Sequence, residues 1–143
     1  MKSLSLFGLL LMIVGAVGLV FSRHLFTRTP WAIAMQVVAA ALMLWARVTF
    51  GARSFHASAD PTQGGLVTTG PYRFIRHPIY TAICLFTLAA VLASPSWITV
   101  SCWVLVMAGS WIRMRTEESL LVEMYPDYRD YAARTRRMIP FVF

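Results

Sequence analysis

The chain has 143 residues, of which 58% are hydrophobic and only 13% are charged, and its formal net charge is +7. A soluble domain of this size carries roughly twice that charged fraction, so the composition excludes an ordinary soluble protein. It also excludes a nucleic-acid-binding protein, because the basic residues belong to no soluble domain large enough to bind one.

Four apolar blocks, at residues 4–21, 31–50, 79–93 and 97–112, contain no acidic residue and a single base. The first two approach the ~20 residues that a membrane-spanning helix needs, and the other two are somewhat shorter. We therefore predict an all-α integral membrane protein with about four transmembrane helices, a short C-terminal helical hairpin and a cytoplasmic amphipathic helical tail. We interpret residues 1–143 as a single membrane domain, with two generic helices in 1–50 and the functional part in 51–143.

The first block shares some features with a secretory signal peptide. Lys2 precedes it, and the small residues Ala16 and Gly18 lie near its end. The apolar run is long for a signal peptide, however, and Arg23 and Arg28 follow it without a clear polar mature segment. We therefore interpret this block as a retained membrane helix.

The distribution of basic residues predicts the orientation of the helices. Eleven of the thirteen fall at the N-terminus, around the second loop or in the tail. The first loop has only Arg23 and Arg28, and the turn at residues 94–96 has none. Because positive charge is retained inside, this bias predicts cytoplasmic termini and a cytoplasmic central loop, as in a bacterial inner-membrane protein.

Residues 51–77 form the one long polar stretch between apolar blocks. Its backbone cannot lie unpaired in hydrocarbon, so we expect it on the cytoplasmic face or against a ligand. Gly64 and Gly65 would allow the backbone to approach a ligand closely, although a plain flexible turn explains these glycines equally well. Residues 66–69 are short and β-prone, and a turn follows them.

The start of the third helix is marked by His77-Pro78. Proline suits the first helical position because it needs no N–H partner there. It also keeps the preceding His77 extended, which directs that side chain away from the helix axis. Tyr80 follows in the first turn, where aromatic side chains often anchor helices at the membrane interface. On composition alone, an interfacial belt therefore explains these residues slightly better than a binding site does.

The end of the fourth helix carries Arg113 and Glu117, which share one helix face and can pair. Ionisable residues at the end of a membrane helix tend to mark function, although an ordinary salt bridge is the simpler explanation. A tight hairpin returns its second end beside its first, so His77 and Tyr80 should lie near both residues. A second short helix is expected at residues 127–137.

Five short motifs follow one another in a set order: Leu66-Val67-x-x-Gly70-x-Tyr72, Arg76-His77-Pro78-x-Tyr80, Arg113-x-x-x-Glu117-Glu118, Tyr128-x-x-Tyr131 and Ile139-Pro140-Phe141. With this order and spacing the chain resembles isoprenylcysteine carboxyl methyltransferases and, more distantly, phospholipid methyltransferases. The resemblance covers about residues 64–143.

The resemblance implies S-adenosyl-L-methionine as the cofactor and S-adenosyl-L-homocysteine as its product. It places the cofactor contacts at Gly64, Gly65, Leu66, Val67, Tyr72, His77, Pro78, Ile79, Tyr80 and Glu117. It places Arg113 where the family engages its acceptor, which would be a lipid-like or prenylated small molecule that enters from the membrane lipids. If that acceptor must lose a proton, either Glu118 or His77 is a candidate base.

Other features restrict this interpretation. Ala82 stands where the family usually has glycine, and Gly64-Gly65 replaces a histidine-bearing pair. The sequence contains no strand–glycine–helix unit of the kind that marks a Rossmann fold. A cofactor site would therefore be built from helix ends and the loop. No cysteine or histidine spacing predicts a metal site. The alternatives are an NADPH-dependent membrane reductase related to sterol reductases and a small four-helix transporter. The lack of acidic residues in the apolar blocks disfavours the transporter.

Overall fold

The computed structural model describes residues 2–51 and 65–139. In this part of the chain five α-helices follow one another: α1 (Lys2–Phe21), α2 (Pro30–Phe50), α3 (Pro78–Ala93), α4 (Trp97–Met124) and α5 (Tyr128–Arg134). A 3₁₀ turn, Gly70–Arg73, precedes α3. The all-α prediction is confirmed, and the β-prone residues 66–69 form no strand.

Three helices, α1, α2 and α4, are long and apolar enough to cross a membrane. The apolar α3 has 16 residues and is shorter than such a span. In the packing, α1 lies along α4, α2 lies along α3, and the α3–α4 hairpin joins the two pairs. The Gln36 side chain strengthens the second pair, because its Nε2 donates to the Leu25 carbonyl at 2.7 Å and reaches that of Phe86 at 3.5 Å.

The hairpin has the predicted start and turn, and its second helix continues past the apolar block. Helix α3 begins at Pro78. Ser96 and Thr99 then form a reciprocal cap at the start of α4, with side-chain bonds of 3.2 and 2.9 Å to each other's backbone N–H. Helix α4 extends beyond residue 112, as the shared helix face of Arg113 and Glu117 predicts, because no glycine or proline occurs between that residue and Pro126. The helix therefore carries Glu117 and Glu118 on the same rigid element as its apolar half.

The C-terminal segment crosses the start of α3. The predicted helix at residues 127–137 is shorter in the structure, because α5 ends at Arg134 and the next residues pair with the backbone before α3. The N–H groups of Arg76 and His77 donate to the carbonyls of Arg136 and Arg137 at 2.7 and 3.0 Å. This pairing places the basic tail beside the first turn of α3.

Glycines allow α1 and α4 to pack with their backbones close together. A Cβ atom at Gly15 would collide with the backbone carbonyl of Cys102, and one at Gly109 would collide with that of Gly8. A Cβ atom at Gly18 would instead meet the side-chain sulfur of Cys102, which can turn away. The contact between α1 and α4 therefore depends on small residues, as is common between membrane helices.

We predict that Gly15→Ala destabilises the protein while Gly18→Ala does not. Overpacking against a backbone costs about 1–3 kcal/mol, which exceeds the ~1 kcal/mol that alanine gains over glycine in a helix. Thermal unfolding in detergent measures the difference. Equal unfolding temperatures for the two variants would contradict the proposed close contact.

Candidate functional site

The two ends of the hairpin meet in one cluster, as the sequence predicts, formed by the side chains of His77, Tyr80, Arg113 and Glu117. The Arg113 Nε donates to the Tyr80 hydroxyl at 2.8 Å, and the Tyr80 hydroxyl donates to the Glu117 carboxylate. Arg113 Nη2 lies 3.8 Å from Glu117 Oε1, so the expected pairing along α4 also exists. Tyr80 thus links a guanidinium and a carboxylate through one hydroxyl.

His77 stands between the two adjacent carboxylates of α4. Its Nδ1 lies 3.7 Å from Glu117 Oε2, and its Nε2 lies 3.2 Å from Glu118 Oε1. The side chain is only 5% exposed, and its ring centroid is 5.8 Å from that of Tyr80. Pro78 explains the position, because it starts α3 and leaves His77 in a non-helical conformation just before it.

Glu118 is the centre of a second ionic cluster that holds the tail. Arg76 Nε lies 3.0 Å from Glu118 Oε1, and Arg137 Nη2 lies 2.9 Å from Glu118 Oε2. Arg76 also donates through Nη1 to the carbonyls of Ala132 and Thr135 at 2.8 and 2.6 Å. A carboxylate held by two guanidinium groups is strongly stabilised as the anion. These contacts join the start of α3, the end of α4 and the tail.

Arg113 is buried and connects the cluster to α1. Its side chain is 7% exposed, and its Nη1 donates to the Ser5 backbone carbonyl at 3.3 Å. A Cβ atom at Gly8 would stand only 3.0 Å from Arg113 Cγ, so the small residue makes room for the arginine stem. Ser5 is not among the predicted site residues, because a backbone carbonyl on a separate helix leaves no sequence motif.

Buried tyrosines form one wall of the site. The Tyr72 ring lies 5.5 Å from that of Phe50, and the Tyr131 hydroxyl donates to the Tyr72 carbonyl at 2.7 Å. Tyr128 packs against Tyr131 with ring centroids 5.9 Å apart. Burial raises the pKa of Tyr131 to about 12 and raises the pKa values of Tyr72 and Tyr128 as well. All three phenols are therefore neutral hydrogen-bond donors at physiological pH.

The other predicted cofactor positions lie on both sides of the 3₁₀ turn: Pro78 and Ile79 after it, and Gly65, Leu66 and Val67 before it. Pro78 is fully buried, whereas Gly65 is exposed with a φ of 81° that favours glycine. Leu66 and Val67 are half-buried. Gly64 lies outside the described residues.

The charged and aromatic side chains of this cluster fit a zwitterionic ligand that carries an aromatic ring. Glu117 has 26% of its side chain exposed, so its carboxylate remains accessible to a cationic group. Tyr72 and Tyr80 offer aromatic surface beside it, and the buried Tyr128 hydroxyl has no hydrogen-bond partner. Within residues 2–51 and 65–139, no group of three or more His, Cys, Asp or Glu side chains is arranged to hold a metal ion.

A family model and curated proteins each match about half of the chain. Residues 48–128, more than half of the chain, match the family model described as phospholipid methyltransferase. The chain is 37% identical over 79 residues to the nickel-cobalt-cadmium resistance protein NccN of Alcaligenes xylosoxydans xylosoxydans. It is 33% identical over 76 residues to the cobalt-zinc-cadmium resistance protein CzcN of Cupriavidus metallidurans. Each match covers 52% of this chain but only 36% and 35% of these relatives, and no solved structure matches.

We predict that Glu118→Gln releases the C-terminal segment. The substitution removes the charge that holds Arg76 and Arg137, at a cost approaching the ~3–5 kcal/mol of breaking a buried ion pair. Trypsin should then cleave at Arg134 and Arg136 several-fold faster than in the wild type.

Glu123→Gln is the matched control, because Glu123 is an exposed carboxylate on the same helix. Its cleavage rate should equal that of the wild type. A Glu118→Gln protein that resists trypsin as well as the control does would rule out the tail-holding role.

Proposed function

The chain belongs to the phospholipid methyltransferase family, and from this membership we propose that it is an S-adenosyl-L-methionine-dependent integral membrane methyltransferase that acts on a lipophilic acceptor. The observation that carries the proposal is the contact of Arg113, Tyr80 and Glu117 at one end of the apolar hairpin. The proposal is supported by the meeting of a cation, an aromatic hydroxyl and a partly exposed carboxylate at this end.

The cofactor assignment rests on what these side chains can bind. S-adenosyl-L-methionine supplies a methyl group that is already activated as a sulfonium. We assign Glu117 to its amine or ribose and Tyr72 and Tyr80 to its adenine surface. His77, Pro78 and Ile79 and the segment from Gly64 to Val67 would complete the lining. The chain then has to align the two reactants and exclude water, which is the main catalytic requirement for an activated methyl group.

We assign Arg113 to the acceptor. Its fork geometry suits a carboxylate, which it can bind through two parallel hydrogen bonds once the acceptor displaces the Ser5 and Glu117 contacts of its Nη atoms. Glu118 and His77 were the candidate bases for an acceptor that must lose a proton, but Arg76 and Arg137 stabilise the anionic form of Glu118. A carboxylate in such a cluster accepts a proton poorly, which disfavours Glu118 as the base. The proposal is therefore methylation of a carboxylate oxygen, as in isoprenylcysteine carboxyl methyltransferases, with Glu118 as a positioning residue.

We propose that the four apolar helices α1 to α4 all span the membrane as a single domain, with both termini in the cytoplasm. Helices α1, α2 and α4 have the necessary length, and the adjacent α3 would cross with the ends of the site at the interface. The contact between Ser5 and Arg113 supports this orientation, since it places the start of α1 on the same side as the basic tail. A bacterial inner membrane is the location that fits this arrangement.

Transfer of a radiolabelled methyl group tests the proposed reaction. Purified protein in vesicles is incubated with labelled S-adenosyl-L-methionine and a set of acceptors: prenylcysteines, fatty acids and phosphatidylethanolamine. We expect label in the solvent-extractable fraction. Mild alkali should release this label as volatile methanol, because only a methyl ester is cleaved in this way. Alkali-stable label would contradict the carboxylate acceptor, and no label in any fraction would contradict this set of acceptors.

We predict a division of roles between Arg113 and Glu117. Arg113→Lys keeps the charge but loses the fork, so turnover should fall about 100-fold while S-adenosyl-L-homocysteine affinity stays within about threefold. Glu117→Gln should weaken that affinity by about tenfold or more, because it removes a charged partner of the cofactor. Calorimetry and initial rates give the two quantities. Equal losses of affinity in both variants would contradict the assignment.

A further inference from the structure

Tyr128, the first residue of α5, has a hydroxyl group that the fold leaves without a partner. The side chain is buried, with 2% exposure, and its oxygen forms no hydrogen bond with any residue that the structure describes. Buried polar groups nearly always have a partner, and one without a partner lowers stability. A phenylalanine would fill the same space without that cost. The hydroxyl therefore has no evident structural role in the ligand-free chain.

The surroundings of Tyr128 belong to the candidate site. Burial raises the pKa of its phenol, the negative charges of Glu118 and Glu117 raise it further, and Arg76 lowers it. The neighbouring polar groups already have partners: Glu118 holds Arg76 and Arg137, and the Tyr131 hydroxyl donates to the Tyr72 carbonyl. Tyr128 is thus a protonated donor that these neighbours leave unused.

The other donors expected for the carboxylate of the cofactor are already engaged. Both ring nitrogens of His77 face carboxylates, and its backbone N–H donates to the Arg137 carbonyl at 3.0 Å. A ligand carboxylate therefore needs a different donor in this part of the site. The Tyr128 hydroxyl is protonated and has no hydrogen-bond partner among the described residues, so it can donate to that carboxylate.

We propose that the Tyr128 hydroxyl donates a hydrogen bond to the amino-acid carboxylate of the bound cofactor. This inference rests on the proposed function and adds a binding residue outside the predicted set. It assigns the carboxylate of the cofactor to Tyr128 and leaves its amine or ribose to Glu117.

Calorimetric titration of wild type and Tyr128→Phe with two ligands tests the contact. The ligands are S-adenosyl-L-homocysteine and its decarboxylated analogue, which lacks only the carboxylate. We expect Tyr128→Phe to bind S-adenosyl-L-homocysteine roughly tenfold or more weakly than the wild type, as for loss of a hydrogen bond to a charged group. The two proteins should bind the decarboxylated analogue within about twofold of each other, because the partner of the hydroxyl is absent.

Thermal unfolding and a control variant separate this contact from a structural effect. Ligand-free Tyr128→Phe should unfold at the wild-type temperature or above it, since the hydroxyl has no partner in the fold. Tyr131→Phe removes the bond to the Tyr72 carbonyl, so it should unfold at a lower temperature. It should nevertheless keep the wild-type ratio of affinities for the two ligands.

Three results would overturn the inference. Unchanged S-adenosyl-L-homocysteine affinity in Tyr128→Phe would show that the hydroxyl does not contact the cofactor. An equal loss for both ligands would show that it contacts a group other than the carboxylate. If the wild type itself binds neither ligand, the proposed function fails and this inference fails with it, which distinguishes that outcome from the first two.

Discussion

The buried guanidinium of Arg113 is the interaction on which the rest of the site depends. A charge in this position is tolerated only when its donors are satisfied, because an unpaired buried charge is strongly destabilising. Its partners come from three helices: the Ser5 carbonyl on α1, the Tyr80 hydroxyl on α3 and Glu117 on α4 itself. Satisfying one arginine therefore sets the relative positions of these helices, and the glycines of α1 and α4 make the required close approach sterically possible.

Two adjacent carboxylates have separate environments because successive helical residues point about 100° apart. Glu117 faces Tyr80 and remains partly accessible, whereas Glu118 faces Arg76 and Arg137 and binds the tail. His77 lies between them and contacts both. The cluster of Tyr80, Arg113 and Glu117 and the cluster around Glu118 thus share the His77 imidazole, so release of the tail should disturb the first cluster as well.

Local signals in the sequence predict much of this arrangement. The apolar blocks predict the helices, Pro78 predicts the start of α3, and the short turn predicts that His77 and Tyr80 meet Arg113 and Glu117. The i,i+4 spacing of Arg113 and Glu117 predicts that the helix continues past its apolar block, and no helix-breaking residue follows until Pro126. The contacts of Ser5 and Arg137 join segments far apart in the chain, for which local periodicity carries no information.

Membership in the phospholipid methyltransferase family rests on residues 48–128, which contain the hairpin and both carboxylates. The contacts of α1 and of the segment after residue 128 lie outside that match. The identity of the cofactor is tested most directly by calorimetric titration of the detergent-purified wild type with S-adenosyl-L-homocysteine and, in parallel, with NADPH. We predict saturable binding of S-adenosyl-L-homocysteine and none of NADPH. Saturable binding of NADPH alone would contradict it and favour a membrane reductase.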